Sequence, residues 1–463
     1  MLFNSFEFIF IFLPVTVIIY FIINYNGLFK LAKIWILITS LFFYGWWNPK
    51  YILLIITSIL INFFFFRLIK KISEKKKKKC ILVLGISFNV IVLGYYKYVD
   101  FFIENINSIT GTHFNLVNII LPLGISFFTF QQIAFLVDSY LDRLNKINLL
   151  DYSVFVSFFP QLIAGPIVHH SEMMPQFSGI KRKFFNAFNV SKGLLIFNIG
   201  LAKKVIIADT FGKIANIGYS NTELLDFVGS WVTAFSYTIQ LYFDFSGYSD
   251  MAIGIALLFN ISIPINFNSP YKSENVQEFF RRWHITLSRF LRDYIYVPLG
   301  GNRKGGIRTY VNLLMTFLIG GFWHGANWTF VFWGGLNGCA LIIHRVYQKI
   351  GFRMPRFIAV SVTFIFIMVT WVYFRANEWQ DATNILCSMI GLKSGEGVPL
   401  FATYLDSPIW IIGVILLFGP NSNQIGDRFK TNSKFLFLLI YLFIVNILFL
   451  NSSIKKDFLY FDF

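Results

Sequence analysis

Long apolar stretches separated by short polar segments dominate the chain. A helix that crosses a lipid bilayer needs about 20 mostly apolar residues. The stretches that approach this pattern are 6–25, 31–47, 51–69, 80–98, 117–137, 152–168, 188–208, 228–260, 311–329, 330–348, 356–374, 408–419 and 434–451. Several of them are too short, too long or too polar to be simple spans. We therefore predict an all-α polytopic membrane protein with about 11–13 membrane helices, some of them re-entrant elements.

A run of basic residues indicates the orientation of the first spans. Residues 70–79, KKISEKKKKK, contain seven lysines and one glutamate. We interpret this run as a solvated loop, and basic loops between spans stay in the cytoplasm. Because three spans precede it, we expect the N-terminus on the outer side and Lys30, Lys33 and Arg143 on the cytoplasmic side. No internal repeat or Pro/Gly-rich linker divides the sequence, so residues 1–463 are predicted to form a single domain.

The composition of the chain supports a membrane protein. Hydrophobic residues make up 56% of it and charged residues only 14%, against about 25% charged residues in ordinary soluble domains. A net charge of +17 would favour nucleic-acid binding in a soluble protein. Here the basic residues cluster between apolar spans, where they meet lipid headgroups. We therefore expect membrane lipid, and no nucleic acid, as a partner. The cysteines have no metal-ligand spacing, so no metal site is predicted.

Ionisable residues inside apolar spans mark function by default, and three stretches concentrate them. The first is QLYFDFSGYSDMAIG at 240–254, where Ser-Gly-Tyr-Ser between two carboxylates suggests a broken helix. Its polar residues are candidates for a tunnel or a donor-binding site. Alternatively, both carboxylates cap helix ends or pair with arginines elsewhere. The candidates are Asp244, Ser246, Tyr248 and Asp250.

The second stretch, 264–308, carries eight Lys/Arg against three acidic residues, with aromatic residues interleaved. This is a basic amphipathic pattern, typical of a segment on or dipping into the cytoplasmic side of the membrane. One interpretation is an interfacial helix that holds lipid phosphates. The other is a cytoplasmic mouth that attracts a phosphate-bearing donor. The candidate residues are Arg281, Arg282, Trp283, His284 and Arg289.

The third stretch is GGFWHGANW at 320–328, followed by FWGGLNG at 332–338. His324 lies there among glycines, next to Trp323 and close to Asn327, and glycine permits close approach of backbones or a narrow passage. A buried neutral imidazole is a good general base near pH 7. From the residues alone, a His-dependent membrane transferase and a transporter with a polar path remain equally possible.

Several motifs in one order resemble the membrane-bound O-acyltransferase (MBOAT) family, most of all its bacterial branch that O-acetylates alginate and peptidoglycan. They are FFYGWW at 42–47, LPLGISFFTFQ at 121–131, FPQLIAGPI at 159–167, the three stretches above and WVYFRA at 371–376. The resemblance implies a helical fold with a central tunnel that links a cytoplasmic thioester donor to an acceptor from the other side. It places the family's hallmark histidine, the base, on His324. His284 falls on its second polar position and would orient the donor or the acceptor.

The resemblance also implies the reaction. We expect a multi-pass protein of the bacterial inner membrane, with no bound cofactor, that moves acetyl from cytoplasmic acetyl-CoA for O-acetylation of a cell-envelope polysaccharide. Peptidoglycan is favoured and an alginate-like exopolysaccharide comes next. An extracytoplasmic SGNH-type acetyltransferase is the expected protein partner. The alternative is a polytopic transporter or flippase without covalent acyl chemistry.

The C-terminal tail, residues 452–463, is rich in aromatic residues. One interpretation is an interfacial aromatic anchor. The tail also resembles the aromatic C-terminal motif of the small D-alanylation partner of a related family member, in which a tyrosine carries the acyl group. By that resemblance Tyr460 is a candidate acyl acceptor.

Overall fold

The fold consists of helices joined by turns and short extended segments. The computed structural model describes residues 1–144, 147–179, 182–351, 354–398, 401, 404, 407–452 and 458–459, with backbone only at 451 and 452. No β-strand occurs among these residues. This confirms the predicted all-α class.

The described chain groups into two compact units, and the predicted single domain stays a prediction. The first unit consists of Met1–Phe197 and Met251–Pro264. Its helices are α1 (Leu13–Tyr25), α2 (Phe29–Gly45), α3 (Lys50–Lys71), α4 (Lys75–Leu93), α5 (Val99–Thr110), α6 (Ile125–Tyr140), α7 (Leu149–Ser157), α8 (Phe159–Leu162) and α9 (His170–Ser178). A π-helical turn, Phe8–Phe12, precedes α1, and a second, Gly94–Tyr98, joins α4 to α5.

The second unit consists of Asn198–Asp250 and Ile265–Phe463. Two of the three boundaries between the units fall inside helices, α10 (Ala187–Ala202) and α12 (Phe227–Leu258), and the third follows Pro264. The other helices of the second unit are α11 (Asp209–Tyr219), α13 (Val276–Arg282), α14 (Ile285–Leu291), α15 (Gly306–His324), α16 (Trp328–Ile350), α17 (Arg356–Arg375), α18 (Trp379–Met389), α19 (Ile409–Phe418), α20 (Ser422–Asp427) and α21 (Ser433–Ser452).

Judged by length and composition, some helical segments are long and apolar enough to cross a membrane. Within the described residues they are Phe8–Tyr25, Lys50–Lys71, Lys75–Thr110, Arg356–Arg375 and Ser433–Leu450. Each overlaps a stretch that the sequence predicted as a span, which confirms a multi-pass membrane protein. The total of about 11–13 membrane elements stays a prediction.

Two predicted spans, 117–137 and 152–168, begin late or are interrupted in the structure. The stretch 117–137 becomes helical only at Ile125. The stretch 152–168 is interrupted, because α7 ends at Ser157 and a short helix begins at Phe159. Pro160 accounts for this break, since proline has no N–H and its ring clashes with the carbonyl of the residue four positions earlier.

The lysine run at 70–79 is mostly helical, which corrects the loop predicted from the sequence. It forms the end of α3 and the beginning of α4, and only 72–74 lie between these helices. Lys70 and Lys78 both pair with Asp142, at 3.1 and 2.8 Å. Hydrogen bonds from Lys78 and Lys70 hold the pKa of the Asp142 carboxyl below its usual value. The basic ends of α3 and α4 therefore meet the end of α6, while the side of the membrane stays a prediction.

Helices α15 and α16 pack closely because glycines lie at their contact. A Cβ added to Gly334 would lie within 3.2 Å of Gly321 Cα and closer still to the Phe317 carbonyl oxygen. Small residues at such crossings let helix backbones approach in membrane proteins. Gly321 and Gly334 therefore serve close helix packing, one of the two roles that the sequence analysis considered for the glycines of these motifs.

Neighbouring glycines in α16 allow a matched test of this contact. We expect Gly334→Ala to lower the free energy of unfolding by about 1–3 kcal/mol, because the new methyl group overpacks the helix pair. Gly335→Ala should be tolerated, since its Cβ would meet only Leu318 Cδ2 at 3.6 Å and alanine favours helix by up to about 1 kcal/mol. Thermal unfolding of both variants in detergent measures the difference. Equal melting temperatures would contradict this account of the packing.

Candidate active site

His284 lies in a sharp turn between two short helices. The basic segment is not one interfacial helix, because α13 ends at Arg282 and α14 begins at Ile285. His284 connects them with φ 44° and ψ 53°, in the left-handed region. For a residue other than glycine this conformation costs about 1–2 kcal/mol, and such strain persists where the surroundings stabilise it. The turn directs the imidazole into the interior, where the residue is only 2% exposed.

His324 is the last residue of α15 and lies among aromatic rings. The ring centres of Trp323, Trp333 and Phe374 lie 5.0, 5.3 and 5.2 Å from that of its imidazole. All three contacts are edge-on, a geometry that aromatic pairs favour. Since His324 is only 6% exposed, its imidazole is held in one orientation inside an apolar wall.

The two candidate histidines come together in the second unit although forty positions separate them in the sequence. Their ring centres lie 6.5 Å apart. This distance is too great for a direct hydrogen bond but leaves room for a polar atom between the rings. His284 and His324 line one cavity of about 430 Å³. The structure thus brings together the pair that the sequence singled out.

The cavity follows one face of α15. Leu313, Thr316, Phe317, Gly320 and His324 line it, at the spacing of three and four residues that places side chains on one helix face. At 1.5 Å per residue this face is about 16 Å long. The cavity is therefore elongated, and the imidazole of His324 lies at one end of this row.

Basic side chains line another part of the same cavity. Arg281, Arg289 and Arg292 contribute to its wall, together with Trp283. Arg281 is exposed, and the side chain of Arg292 is 62% exposed and pairs with Asp293 at 2.7 Å. The wall thus includes exposed arginines as well as two buried histidines. Such an arrangement suits a ligand with an anionic end and an uncharged reactive end.

Of the candidates in the basic and glycine-rich stretches, Arg282, Trp323 and Asn327 do not line this cavity. Arg282 forms an ion pair with Glu278 at 2.7 Å. Asn327 caps α16, where its side chain accepts a hydrogen bond from the Thr329 N–H at 3.0 Å. Trp323 is not part of the cavity lining but contacts the ring of His324.

The carboxylates of the 240–254 stretch are paired with lysines. Asp244 contacts Lys204 at 2.6 Å and Asp250 contacts Lys203 at 2.6 Å. Lys204 also pairs with Asp209 at 2.9 Å. Both lysines belong to the π-helical turn Lys203–Ala208, and a π turn widens a helix locally. The sequence analysis had considered pairing with arginines as one alternative for these carboxylates, and in the structure their partners are lysines.

The prediction of a broken helix at Ser-Gly-Tyr-Ser is wrong, because α12 runs without interruption from Phe227 to Leu258. A glycine costs only about 1 kcal/mol in a helix, whereas unpaired backbone groups in an apolar interior cost more. Gly247 instead allows a close contact, since a Cβ there would lie 2.7 Å from the Gly200 carbonyl oxygen. Asp244, Ser246, Tyr248 and Asp250 do not line the cavity of His324.

Tyr460, the candidate acyl acceptor, lies outside the described residues. The residues just before it are described, and Phe458 is buried at 1% exposure. Its ring centre lies 4.7 Å from that of Tyr248, and the Leu459 N–H donates to Asp244 Oδ2 at 3.0 Å. The tail is therefore packed against α12 at this point.

The structure adds residues that the sequence analysis did not rank. Arg292, Thr316 and Trp333 line the cavity. Arg292 belongs to the basic segment and Trp333 to FWGGLNG, so each was inside a stretch already recognised. Thr316 has no sequence signal, because it is one of many small polar residues in apolar helices.

Residues 41–377 match the sequence profile of the membrane-bound O-acyltransferase family. The match covers more than half of the chain. The chain belongs to the MBOAT family. This membership makes it a membrane-bound acyltransferase, and it argues against the transporter or flippase alternative.

Relatives of this MBOAT protein include O-acetylating enzymes. A peptidoglycan O-acetyltransferase of Helicobacter pylori is 44% identical over 524 residues, covering 100% of this chain and 98% of the relative. A probable alginate O-acetylase AlgI of Pseudomonas aeruginosa is 38% identical, covering 86% of this chain and 76% of the relative. A teichoic acid D-alanyltransferase of Streptococcus thermophilus is 26% identical, over 52% of this chain and 60% of the relative. The first two support O-acetyl transfer as the reaction.

The buried lysine–aspartate pairs generate a stability prediction. Asp250→Ala leaves the Lys203 charge buried without its partner, so we expect a loss of about 3–5 kcal/mol. The double variant Lys203→Met/Asp250→Leu should recover most of it, because neither charge remains. Asp142→Asn is the control, since its side chain is 67% exposed and surface pairs contribute about 0–1 kcal/mol. Thermal unfolding in detergent compares the three, and an equal loss for Asp250→Ala and Asp142→Asn would contradict the structural role.

Proposed function

We propose that this protein is a bacterial inner-membrane O-acetyltransferase that uses cytoplasmic acetyl-CoA to acetylate a cell-envelope polysaccharide, with peptidoglycan as the favoured polymer. The observation that carries the proposal is the meeting of His284 and His324 in one elongated cavity whose wall also includes arginines. The match along the full chain to a peptidoglycan O-acetyltransferase supports the favoured polymer. An alginate-like exopolysaccharide is the second candidate, supported by the alginate O-acetylase relative.

The donor suits the cavity in charge and shape. Acetyl-CoA has phosphates at one end and an uncharged thioester at the end of a slender arm. The exposed Arg281 and Arg292, with Arg289, provide guanidinium groups that bind phosphate well. The arm would follow the α15 face from Leu313 towards His324. In this arrangement the thioester carbonyl would lie next to the imidazole and the phosphates would lie near the exposed arginines.

The chemistry requires a base at the acceptor hydroxyl. His324 as a neutral imidazole takes the hydroxyl proton while the hydroxyl oxygen attacks the thioester carbonyl carbon. The tetrahedral intermediate collapses, the carbon–sulfur bond breaks, and the protonated imidazole returns its proton to the leaving thiolate. The products are an acetyl ester and CoA thiol, and the histidine ends in its starting form. His284, across the cavity, holds the acceptor or the donor by a hydrogen bond.

The route to the polymer includes a second protein. Because the donor is cytoplasmic and the polymer lies outside, the acetyl group has to be handed over on the outer side. We propose an extracytoplasmic SGNH-type acetyltransferase as the partner that completes the transfer. Tyr460 is the proposed intermediate acceptor. It directly follows Phe458 and Leu459, which contact Tyr248 and Asp244 of α12.

Replacement of the base tests the proposed reaction. In proteoliposomes with radiolabelled acetyl-CoA and a hydroxyl acceptor, we expect His324→Ala to lower kcat by about 100- to 10,000-fold, the contribution of a positioned general base. His113→Ala is the matched control, because His113 is an exposed residue of the first unit and its loss should leave the rate unchanged. Transfer by His324→Ala at the wild-type rate would overturn the assignment.

A second experiment tests the tail. We expect Tyr460→Phe, which removes only the hydroxyl, to abolish acetylation of the envelope polymer in cells while membrane insertion stays at the wild-type level. Acetyl content of isolated peptidoglycan and the amount of protein in the membrane fraction are the measurements. Tyr441→Phe, a change at an exposed residue of α21, controls for loss of an aromatic hydroxyl. Normal acetylation in Tyr460→Phe would remove this tyrosine from the mechanism.

A further inference from the structure

Asn266 stands at the centre of the turn that carries His284. Its backbone carbonyl oxygen accepts from the Ile285 N–H at 3.0 Å. Its side-chain oxygen Oδ1 accepts from the Thr286 N–H at 3.2 Å and from the Thr286 hydroxyl at 2.9 Å. His284 supplies no side-chain cap for α14, so Asn266 satisfies the first N–H groups of that helix from a neighbouring segment.

The same oxygen contacts the imidazole. Asn266 Oδ1 lies 3.2 Å from His284 Nδ1. A backbone N–H can only donate, so the amide atom that faces the Thr286 N–H has to be the oxygen rather than the nitrogen. An amide oxygen only accepts hydrogen bonds. The proton in the contact with His284 therefore belongs to Nδ1.

We propose that Asn266 is a positioning residue that keeps His284 in the tautomer with its proton on Nδ1. A neutral imidazole has one N–H, so Nε2 then carries the lone pair and serves as the hydrogen-bond acceptor. The pairing also restrains the ring, because the same amide oxygen is held by two donors of Thr286. Asn266 does not line the cavity and acts only through His284.

The consequence concerns which groups His284 can hold. With Nε2 as an acceptor, His284 receives a hydrogen bond from the acceptor hydroxyl or from an amide N–H of the donor arm. In the other tautomer Nε2 would donate, so it could not pair with an amide N–H and would bind a hydroxyl only as donor to its oxygen. This inference rests on the proposed acetyl transfer at His324 and His284.

Kinetics of acetyl transfer by the full-length protein in proteoliposomes test the role. We expect Asn266→Ala to lower kcat by about 10- to 100-fold, the usual effect of losing the group that orients a histidine through its second nitrogen. KM for acetyl-CoA should change little. Asn266→Asp keeps an oxygen acceptor in the same place and should restore most of the rate. Thr286→Val, which removes one donor to the same oxygen but leaves the imidazole contact, should stay near the wild-type rate.

A spectroscopic measurement tests the tautomer without activity. In ¹⁵N-histidine-labelled protein, the His284 signals are identified by their loss in His284→Gln, and their chemical shifts report which ring nitrogen carries the proton. We expect a protonated Nδ1 in the wild type and in Thr286→Val, and a mixture of tautomers in Asn266→Ala. A wild-type proton on Nε2, or an unchanged tautomer and kcat in Asn266→Ala, would overturn the proposal.

The two proposals fail in different ways. If His324→Ala abolishes transfer while Asn266→Ala has the wild-type kcat, the role of Asn266 is wrong and the proposed function stands. If the wild-type protein transfers no acetyl, the proposed function is wrong, and the chemical shifts alone still decide the tautomer.

Discussion

The close approach of α15 and α16 is the constraint on which the candidate site depends. Gly321 and Gly334 let the two backbones meet, so that the ring of Trp333 reaches His324 at the end of α15. A larger residue at this crossing would separate the helices and with them the two walls of the cavity. Because lipid supplies no hydrophobic force between helices, such close packing is a main source of association in membranes.

Charges in the apolar interior follow a second physical rule, which is that they need partners. Moving a charge out of water carries a desolvation penalty, and a close opposite charge offsets part of that free energy. The π turn in front of α11 places two successive lysines against Asp244 and Asp250 on α12. These carboxylates therefore have buried partners of opposite charge, and they do not line the cavity of His284 and His324.

The cavity combines exposure at one part with burial at another. Arg281 is exposed whereas His324 is 6% exposed, and a row of residues on α15 runs along the wall between its middle and the histidine. The buried imidazole therefore lies where water is largely excluded, and polar interactions are stronger in such a site. The wall of one cavity thus includes exposed basic side chains and buried imidazoles.

The sequence by itself determined the class of the protein and most of the side chains of the candidate site. Its long apolar runs require helices, because a lipid interior satisfies no backbone hydrogen bonds. Its glycine-rich motif singled out His324 as a candidate site residue. Only the tertiary structure decided which groups meet. Three sets of neighbours join residues from different elements. They are His284 with His324, Asp244 and Asp250 with their lysines, and Asn266 with His284. Spacing along a chain reports which side chains share a helix face, whereas these contacts arise from the packing of one helix or turn against another.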